Sequence, residues 1–555
     1  MSEEKLTPWN RFLRLLSLER KDIWQIFLYA IFSGLVALSL PLGIQAIVNL
    51  IQGAQITTSW IVLVVLVTIG VVFVGILNIM QLRIIETIQQ RIFVKSSFEL
   101  SYRFPKIKME ALRNEYPPEL ANRFFDTLTI QKGLSKALID VPSALLQIVF
   151  ALILLSFYHP LFIVFGIVLM GTVYLVFQYT AKKGLKTSLE ESNHKYKVAH
   201  WIQEVARSIV SFKSSGKTSL ALHKNDVLVE KYLDARESHF SVIKLQYIKM
   251  IGFKAIITAG LLIIGGVLVL NQQMNIGQFV AAEIIILLVI TSIEKLILGL
   301  ETLYDILTSI EKIGLVVDKP LESQEGEKIN YEEGIAIELD NISYSVSNKA
   351  NPILNHISLQ IKPDSRIIVQ GESGSGKSSL LRIISGIISP NSGNMYVNGL
   401  SIAGLNINHY RGNLGLSLSE EFPIEGTLRE NLTFGDKTIT DESIIEVLKN
   451  IGLSKFLKEL PQGLNTILYP EGKQMSYTIS KKIVLARAVL KQPKLLILEE
   501  ALDQFSEQET KAIIDYLCQP TNPWALVVVT SNEYWKTYCK KVVNLKEGII
   551  LSKTN

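Results

Sequence analysis

Two kinds of hydrophobic pattern divide this chain. Up to about residue 300, apolar residues come in runs near or above the roughly 20 that a bilayer-crossing helix needs. They lie at about 24–50, 60–82, 142–158, 160–180, 249–270 and 278–300. Six such runs in one half of the chain, several without a charge, argue against core helices of a large soluble protein and predict six spans. Tyr158-His159-Pro160 barely separates the third from the fourth. Proline there predicts a tight turn between two antiparallel helices. Pro41 and Gly43 predict a kink or widening inside the first span. The intervening segments, 83–141 and 181–248, read as amphipathic helices that continue the spans inward, with breaks at Pro117-Pro118 and Ser214-Ser215-Gly216.

From about residue 335 the pattern changes to short β-branched runs: Ile335–Leu339, Ile357–Ile361, Leu495–Leu498 and Leu526–Val529. Helical segments near 379–388, 441–450, 480–491 and 506–518 separate them. The alternation predicts an α/β domain around a partly parallel sheet. A polar stretch at 316–334, with Lys319-Pro320, Glu322, Glu325 and Glu327, reads as the linker between the halves. The resulting division is a leader at 1–22, a helical membrane domain at 23–315, the linker at 316–334 and the α/β domain at 335–555.

Composition agrees. Apolar residues make up 48% of the chain and charged ones only 19%, low for a soluble protein. Mean hydropathy is +0.29. The net charge of +5 is small and its basic residues form no stripe, so no nucleic-acid partner is predicted. The basic residues instead mark orientation. Lys5, Arg11, Arg14, Arg20 and Lys21 fill the leader, and the two long intervening segments are rich in both types, whereas the short connectors carry no charge. The positive-inside rule then places both termini and both long segments in the cytoplasm of a multi-pass protein of the inner (plasma) membrane. No short apolar core precedes a small-residue cleavage site, so a removed signal peptide is not expected. The two cysteines, Cys518 and Cys539, offer no metal or disulfide framework and suit a reducing face. Lys254, Glu283, Glu294 and Lys295 lie in or near the last two spans. Either they face a cavity, or, for all but the deeper Glu283, they snorkel to the interface.

The chemistry is concentrated in one stretch, Gly371-Glu372-Ser373-Gly374-Ser375-Gly376-Lys377-Ser378, followed by Ser379. It fits the phosphate-loop pattern G-x-x-x-x-G-K-[ST] at every fixed position. The apolar run Arg366–Gln370 precedes it and an apolar-periodic segment follows, the strand–loop–helix context that confirms the motif. Glycines let the backbone turn its N–H groups toward phosphate oxygens, and the helix adds its positive N-terminal end. Lys377 would reach the β/γ-phosphates of ATP, and the Ser378 hydroxyl would ligate Mg²⁺. Ser215-Gly216-Lys217-Thr218 imitates the end of this motif, but Ser211 stands where the first glycine is needed and no strand precedes it. Leu495–Leu498 runs into Glu499-Glu500. Carboxylates at such a strand end order the Mg²⁺ shell and orient an attacking water.

These residues together resemble a half-transporter of the ATP-binding cassette (ABC) superfamily, exporter type. The resemblance covers essentially the whole chain. The membrane half is similar to type I protein-secretion and bacteriocin exporters, without their N-terminal peptidase-like domain. It implies a polytopic helical domain of six spans followed by a P-loop NTPase domain, ATP and Mg²⁺ as cofactors, and a dimer with a second half-transporter, identical or different. It also implies, as a possible further partner, a periplasmic adaptor.

Carried over position by position, the resemblance gives an uneven result. The phosphate loop is intact, and Gly426–Leu432 and Ile483–Ala488 match well. Glu499 takes the place of the strand aspartate, as a Mg²⁺ ligand through nucleotide, and Glu500 that of the catalytic general base. The Mg²⁺-ligating glutamine falls on Ser419. The signature Leu-Ser-Gly-Gly-Gln falls on Met475-Ser476-Tyr477-Thr478-Ile479, where only Ser476 survives. The aspartate of the following loop falls on Ser506, the switch histidine on Ser531 and the adenine-stacking aromatic on Val346, with Tyr344 two residues earlier as a substitute. Side chains at 477 and 478 would crowd the approach to a partner's γ-phosphate, and a base without an assembled site does little.

The sequence therefore predicts an exporter subunit that binds ATP, hydrolyses it poorly by itself, and moves a substrate, with a peptide or protein favoured over lipid or drug. Two other readings stand beside it: a non-hydrolysing membrane scaffold or regulator on the same fold, and an unrelated P-loop NTPase tethered to membrane anchors.

Overall fold

The computed structural model describes residues 7–52, 58–346 and 351–554. The first leader residues, Lys5 among them, and most of the first connector, 53–57, lie outside that set. The chain divides into two compact units. One comprises Met1–Pro105 and Asn114–Lys319; the other comprises Lys106–Arg113 and Pro320–Asn555.

The first unit is all helix. α1 (Pro8–Leu18) is followed by α2 (Arg20–Ala37), α3 (Ser39–Gln52), α4 (Thr58–Arg103), α5 (Pro117–Ala121), α6 (Asp126–Tyr158), α7 (Leu161–Arg207), α8 (Ile209–Ser214), α9 (Leu220–Leu270) and α10 (Ile276–Val317). Among the described residues, five helical stretches are long and apolar enough to cross a membrane: Arg20–Gln52, Thr58–Lys106, Pro117–Tyr158, Leu220–Leu270 and Ile276–Val317. The expected span at 160–180 falls in α7, a continuous helix of 47 residues, some of whose side chains lie outside the described set.

Local chemistry accounts for the joints. The first span breaks between Ala37 and Ser39. Pro41 has no amide to offer the Ala37 carbonyl one turn back, so the ladder is interrupted there. His159 separates α6 from α7 in extended conformation. α10 starts at a capping box in which Asn275 and Gln278 satisfy each other's backbone amides. Lys254 and Glu294 form an ion pair at 2.6 Å between α9 and α10. Their charges thus compensate each other, which separate snorkelling would not require. Glu283 is exposed on α10 and has no ion-pair partner among the described residues. The Ser215–Thr218 imitation lies in the turn between α8 and α9, behind a helix rather than a strand.

The second unit is α/β. Its strands and helices alternate as β1 (Ile337–Tyr344), β2 (Leu354–Ile361), β3 (Arg366–Gln370), α11 (Lys377–Ile384), β4 (Ser392–Val397), β5 (Leu400–Ser401), α12 (Ile407–Gly412) and β6 (Leu414–Ser417). They continue as β7 (Gly426–Thr427), α13 (Leu428–Thr433), α14 (Asp441–Asn450), α15 (Ser454–Glu459), β8 (Ile467–Leu468), α16 (Tyr477–Leu490) and β9 (Leu495–Glu499). α17 (Glu507–Leu517), β10 (Ala525–Val529), β11 (Lys541–Lys546) and β12 (Ile549–Thr554) complete the unit. β2-β1-β4-β5 form an antiparallel sheet, and β7 pairs with β8. The main sheet runs β12-β11-β3-β10-β9-β6, parallel from β11 to β6 and antiparallel only at β12.

The apolar runs of the central strands are unbroken because both faces are covered. Ile367, Val369, Leu495, Ile497, Val527 and Val529 enter one core with β1, β2 and α11. Ile368, Leu496, Leu498, Leu526 and Val528 enter the other with α14, α16 and α17. The period-two alternation of strand side chains divides them. Cys518 and Cys539 are free thiols buried in this second core.

Candidate functional site

A parallel sheet aims the carboxyl ends of its strands at one edge, where ligands of open α/β sheets bind. Four neighbouring strands end there in the sequence-selected residues. The phosphate loop follows β3, Glu499-Glu500 closes β9, Ser531 follows β10, and Ser419 follows β6.

The phosphate loop is built by its glycines. Gly371 has φ +156° and Gly376 φ +102°. A Cβ on Gly371 would lie 2.2 Å from the Leu545 carbonyl oxygen, and one on Gly376 would lie 2.7 Å from that of Ile353. Only glycine fits there without displacing backbone. The loop is exposed from Gly371 to Gly374, buried at Ser375 and Gly376, and half-buried from Lys377 to Ser379. Lys377 Nζ donates to the carbonyls of Gly371 and Glu372 at 2.8 and 2.9 Å, so the ammonium lies across its own loop. α11 starts with Gly376 as N-cap, and among the described residues no side-chain cap bond is made to its first amides. Among the described residues, the buried Ser375 Oγ has no hydrogen-bond partner. Free helix amides, a cationic side chain and an unsatisfied hydroxyl around a glycine cradle fit a phosphate chain.

Glu499 is buried, and its Oε2 accepts the Ser419 amide at 3.2 Å. Glu500 is exposed and stands at φ +49°, with its amide bonded to the Val529 carbonyl at 2.8 Å. A non-glycine residue held in the left-handed region at a strand end carries backbone strain. Ser531 Oγ reaches Asp503 at 3.4 Å, and Thr530 Oγ1 donates to the same carboxylate at 2.7 Å. The end of β10 is thereby tied to the turn after β9.

Other positions serve as local caps or packing. Ser506 caps α17, accepting the Glu509 amide at 3.4 Å and donating to the Glu509 carboxylate at 2.9 Å. Ser476 caps α16, accepting the Ile479 amide at 3.2 Å. Tyr477 is exposed, with its ring edge-on to Phe422 at 6.4 Å. Burial and the charges of Glu500 and Asp503 push its phenol up from the usual value. Thr478 is half-buried behind it. Val346 packs half-buried against the core. Tyr344 turns inward: it is buried, and its hydroxyl accepts from Arg113 at 3.0 Å. It is therefore not placed to stack on a base.

Sequence reasoning overlooked three groups. Lys481, buried in α16, donates to the carbonyls of Leu418, Ser419 and Glu421. Burial draws its pKa down, against the charges of Glu421, Glu499 and Glu420. Glu421 takes an ion pair from Arg487, yet burial raises its carboxyl above the usual range. The segment Lys106–Arg113 belongs to the nucleotide-loop unit: Lys108 donates to the Pro320 carbonyl at 3.0 Å, and the Ser389 amide donates to Glu110 at 2.7 Å. Only the buried lysine leaves a trace in the sequence, as a charge inside the apolar helix 480–490. Glu421 and Arg487 are 66 positions apart, and the contacts of Lys106–Arg113 join residues more than two hundred positions apart.

A membrane-type helical unit followed by a phosphate-loop α/β unit defines the class as a nucleotide-dependent membrane transporter. Two family models match the chain: the ABC transporter transmembrane region over residues 23–293 and the ABC transporter domain over residues 354–503. The chain belongs to the ABC transporter superfamily and has the exporter fold, with an ATP-binding cassette domain. It is 24% identical over 512 residues to the leukotoxin translocation ATP-binding protein LktB of Mannheimia haemolytica, covering 90% of this chain and 71% of that protein. It is 26% identical over 286 residues to the alpha-hemolysin translocation ATP-binding protein HlyB of Escherichia coli O157:H7, covering 52% of this chain and 40% of that one. A bacterial Atm1-family ABC exporter solved with ATP bound superposes with a TM-score of 0.84 at 16% identity, over 97% of this chain and 96% of the other.

Proposed function

We propose that the chain is one half of an exporter that binds ATP with Mg²⁺ at residues 371–379 and hydrolyses it weakly through its own motifs. It pairs with a second half-transporter, the same or different, in the inner (plasma) membrane, with both termini cytoplasmic. The cargo is a peptide or protein, in line with the toxin-translocating relatives, and a periplasmic adaptor is a further partner. The observation that carries the reading is the glycine cradle of Gly371 and Gly376 at the carboxyl edge of the parallel sheet, beside Glu499.

In this arrangement the loop amides and Lys377 hold the phosphates, and Ser378 and Glu499 hold the metal through hydroxyl and carboxylate. Mg²⁺, when bound, neutralises charge on the β/γ-phosphate oxygens. Glu500 is the candidate base for an attacking water. Ser419 has no carboxamide to offer the metal, Ser531 no imidazole to offer the γ-phosphate, and Tyr477 and Thr478 replace the glycines that a partner's nucleotide would meet. The domains on this reading are those at 23–315 and 335–555 joined by 316–334.

Titration of the full-length protein with a labelled ATP analogue, with Mg²⁺ and any natural partner supplied, tests the core of the reading. Saturable binding that Lys377→Ala abolishes is expected, and absence of saturation overturns it. Turnover of the purified chain alone at about 10 per second or more would overturn the weak-hydrolysis part. A second reading, a scaffold that uses ATP structurally, is favoured by the self-satisfied start of α16 and the Asp503–Ser531 bond. Lys377→Ala discriminates the two: the exporter loses export, whereas a scaffold for which nucleotide is dispensable keeps its role.

A further inference from the structure

The loop after β6 is gripped from both ends of one peptide group. Lys481, only 2% exposed, donates to the Leu418 carbonyl at 3.3 Å, to the Ser419 carbonyl, and to the Glu421 carbonyl at 3.0 Å. Those three bonds use all three donors of an ammonium. The ring centroids of Phe422 and Tyr477 lie 4.6 and 5.5 Å from the same nitrogen. The carbonyl of Leu418 and the amide of Ser419 belong to one peptide. Its oxygen faces the Lys481 cation, and its N–H donates to the Glu499 carboxylate at 3.2 Å. A cation on the oxygen and an anion on the N–H polarise that peptide in the same sense and strengthen both bonds.

We infer that Lys481 is a positioning residue of the nucleotide site: through the Leu418–Ser419 peptide it fixes the Glu499 carboxylate and holds the loop in one place whether or not nucleotide is bound. The inference rests on the reading of residues 371–379 as the nucleotide cradle. It assigns the loop a static role. A loop tied to α16 by three bonds, with no side chain at 419 long enough to reach the metal, does not move in answer to Mg²⁺. The ammonium acts through Ser419 and Glu499 and touches no nucleotide.

Amide hydrogen exchange on the full-length protein in nanodiscs, with and without ATP and Mg²⁺, tests this. In the wild type, exchange over 417–421 is expected to be slow without nucleotide and to change less than about twofold when ATP and Mg²⁺ are added. Lys481→Met keeps the length and removes the donors. It should speed exchange at Ser419 about tenfold or more while leaving Ile497 and Val528 in the core strands unchanged. It should also cut the gain in ATP-analogue affinity on adding Mg²⁺ by about tenfold, because the Glu499 carboxylate is no longer fixed, a loss that a merely structural lysine would not produce. Unchanged exchange at Ser419 in the variant overturns the inference, and so does a wild-type loop whose exchange slows more than about fivefold on ATP addition. If Lys481→Met loosens the core strands as well, Lys481→Gln, whose neutral amide has two N–H donors in place of three charged ones, is read instead. It should give a smaller loss at Ser419, and equal exchange in wild type and Lys481→Gln counts against the clamp. If no ATP binds to any form, the cradle reading fails, while exchange in the nucleotide-free protein still decides the clamp.

Discussion

Two helices of the α/β unit start in opposite ways. α11 starts behind Gly376 in the left-handed conformation, and among the described residues no side-chain cap bond is made to its first amides. α16 starts behind Ser476, whose hydroxyl already takes the Ile479 amide, with Tyr477 standing exposed at its first position. Every helix leaves its first four amides without a carbonyl, and they must find water, a side chain or a ligand. The first helix leaves that demand for a ligand to meet. The second meets part of it from its own sequence. The same backbone physics thus gives a receptive end and a self-satisfied one in a single domain.

The comparison breaks most completely at Gly371. Gly371→Ala sets a methyl 2.2 Å from the Leu545 carbonyl oxygen at a φ that alanine avoids. The loop has to deform, and ATP-analogue affinity should fall by about 100-fold or more. Lys377→Ala should cost a similar factor, since it removes the charge-assisted bonds to phosphate. Affinity within about threefold of wild type in both variants would show that α11 is not the receptive end.

A smaller effect is expected from opening the other end. Tyr477→Gly with Thr478→Gly strips the side chains from the start of α16 and restores freedom of φ. In an assembled dimer this should raise ATP turnover by about tenfold. No rise, with nucleotide affinity intact, would place the defect at Ser419 or Ser531 instead.

Ser476→Ala sharpens the contrast in stability. Loss of an N-cap serine costs about 1 kcal/mol, and the domain's unfolding midpoint should drop accordingly. ATP-analogue affinity in the isolated chain should not change, because the cap serves α16 and not the loop. A shift in affinity without a shift in midpoint would reverse the assignment.

Much of this was legible in the sequence because it depends on local chemistry. Pro41 and Asn275 announce helix joints by amides missing or supplied within one turn. The glycines of the phosphate loop announce a backbone that no other residue can adopt. The unbroken apolar runs of β9 and β10 announce strands covered on both faces. The rest depends on partners distant in the chain. Tyr344, an aromatic two residues from an expected stacking position, is turned inward by Arg113. Lys254 and Glu294 find each other across two helices. Lys481 gains its meaning only when β6 ends beside α16, and a lysine inside a helix gives no sign of which carbonyls it will meet. Ser506 looks in sequence like a loss from one motif and Ser476 like the lone survivor of another; in the structure each is a helix cap.

The smallest expected effect concerns how the self-satisfied helix is braced. Lys482, 4% exposed on α16, pairs at 2.6 Å with Glu509 on α17, whose side chain is 45% exposed. The hydrogen bond from Lys482, and then that from Ser506, hold the Glu509 carboxyl below its ordinary value of 4.5. A carboxylate whose pKa is lowered by folding stabilises the fold above its unfolded value and loses that contribution as pH falls through the folded one. Glu509→Gln leaves the buried ammonium with only a neutral partner. Because the carboxylate is screened by water, the cost at pH 7 should be about 0.5 kcal/mol rather than the several typical of a buried pair. The difference in unfolding midpoint between wild type and Glu509→Gln should therefore stay constant from neutral pH down to about 5 and shrink below 4.5. A difference that persisted unchanged well below that pH would mean that the carboxylate's charge is irrelevant, and that α16 is held by Lys481 and packing alone.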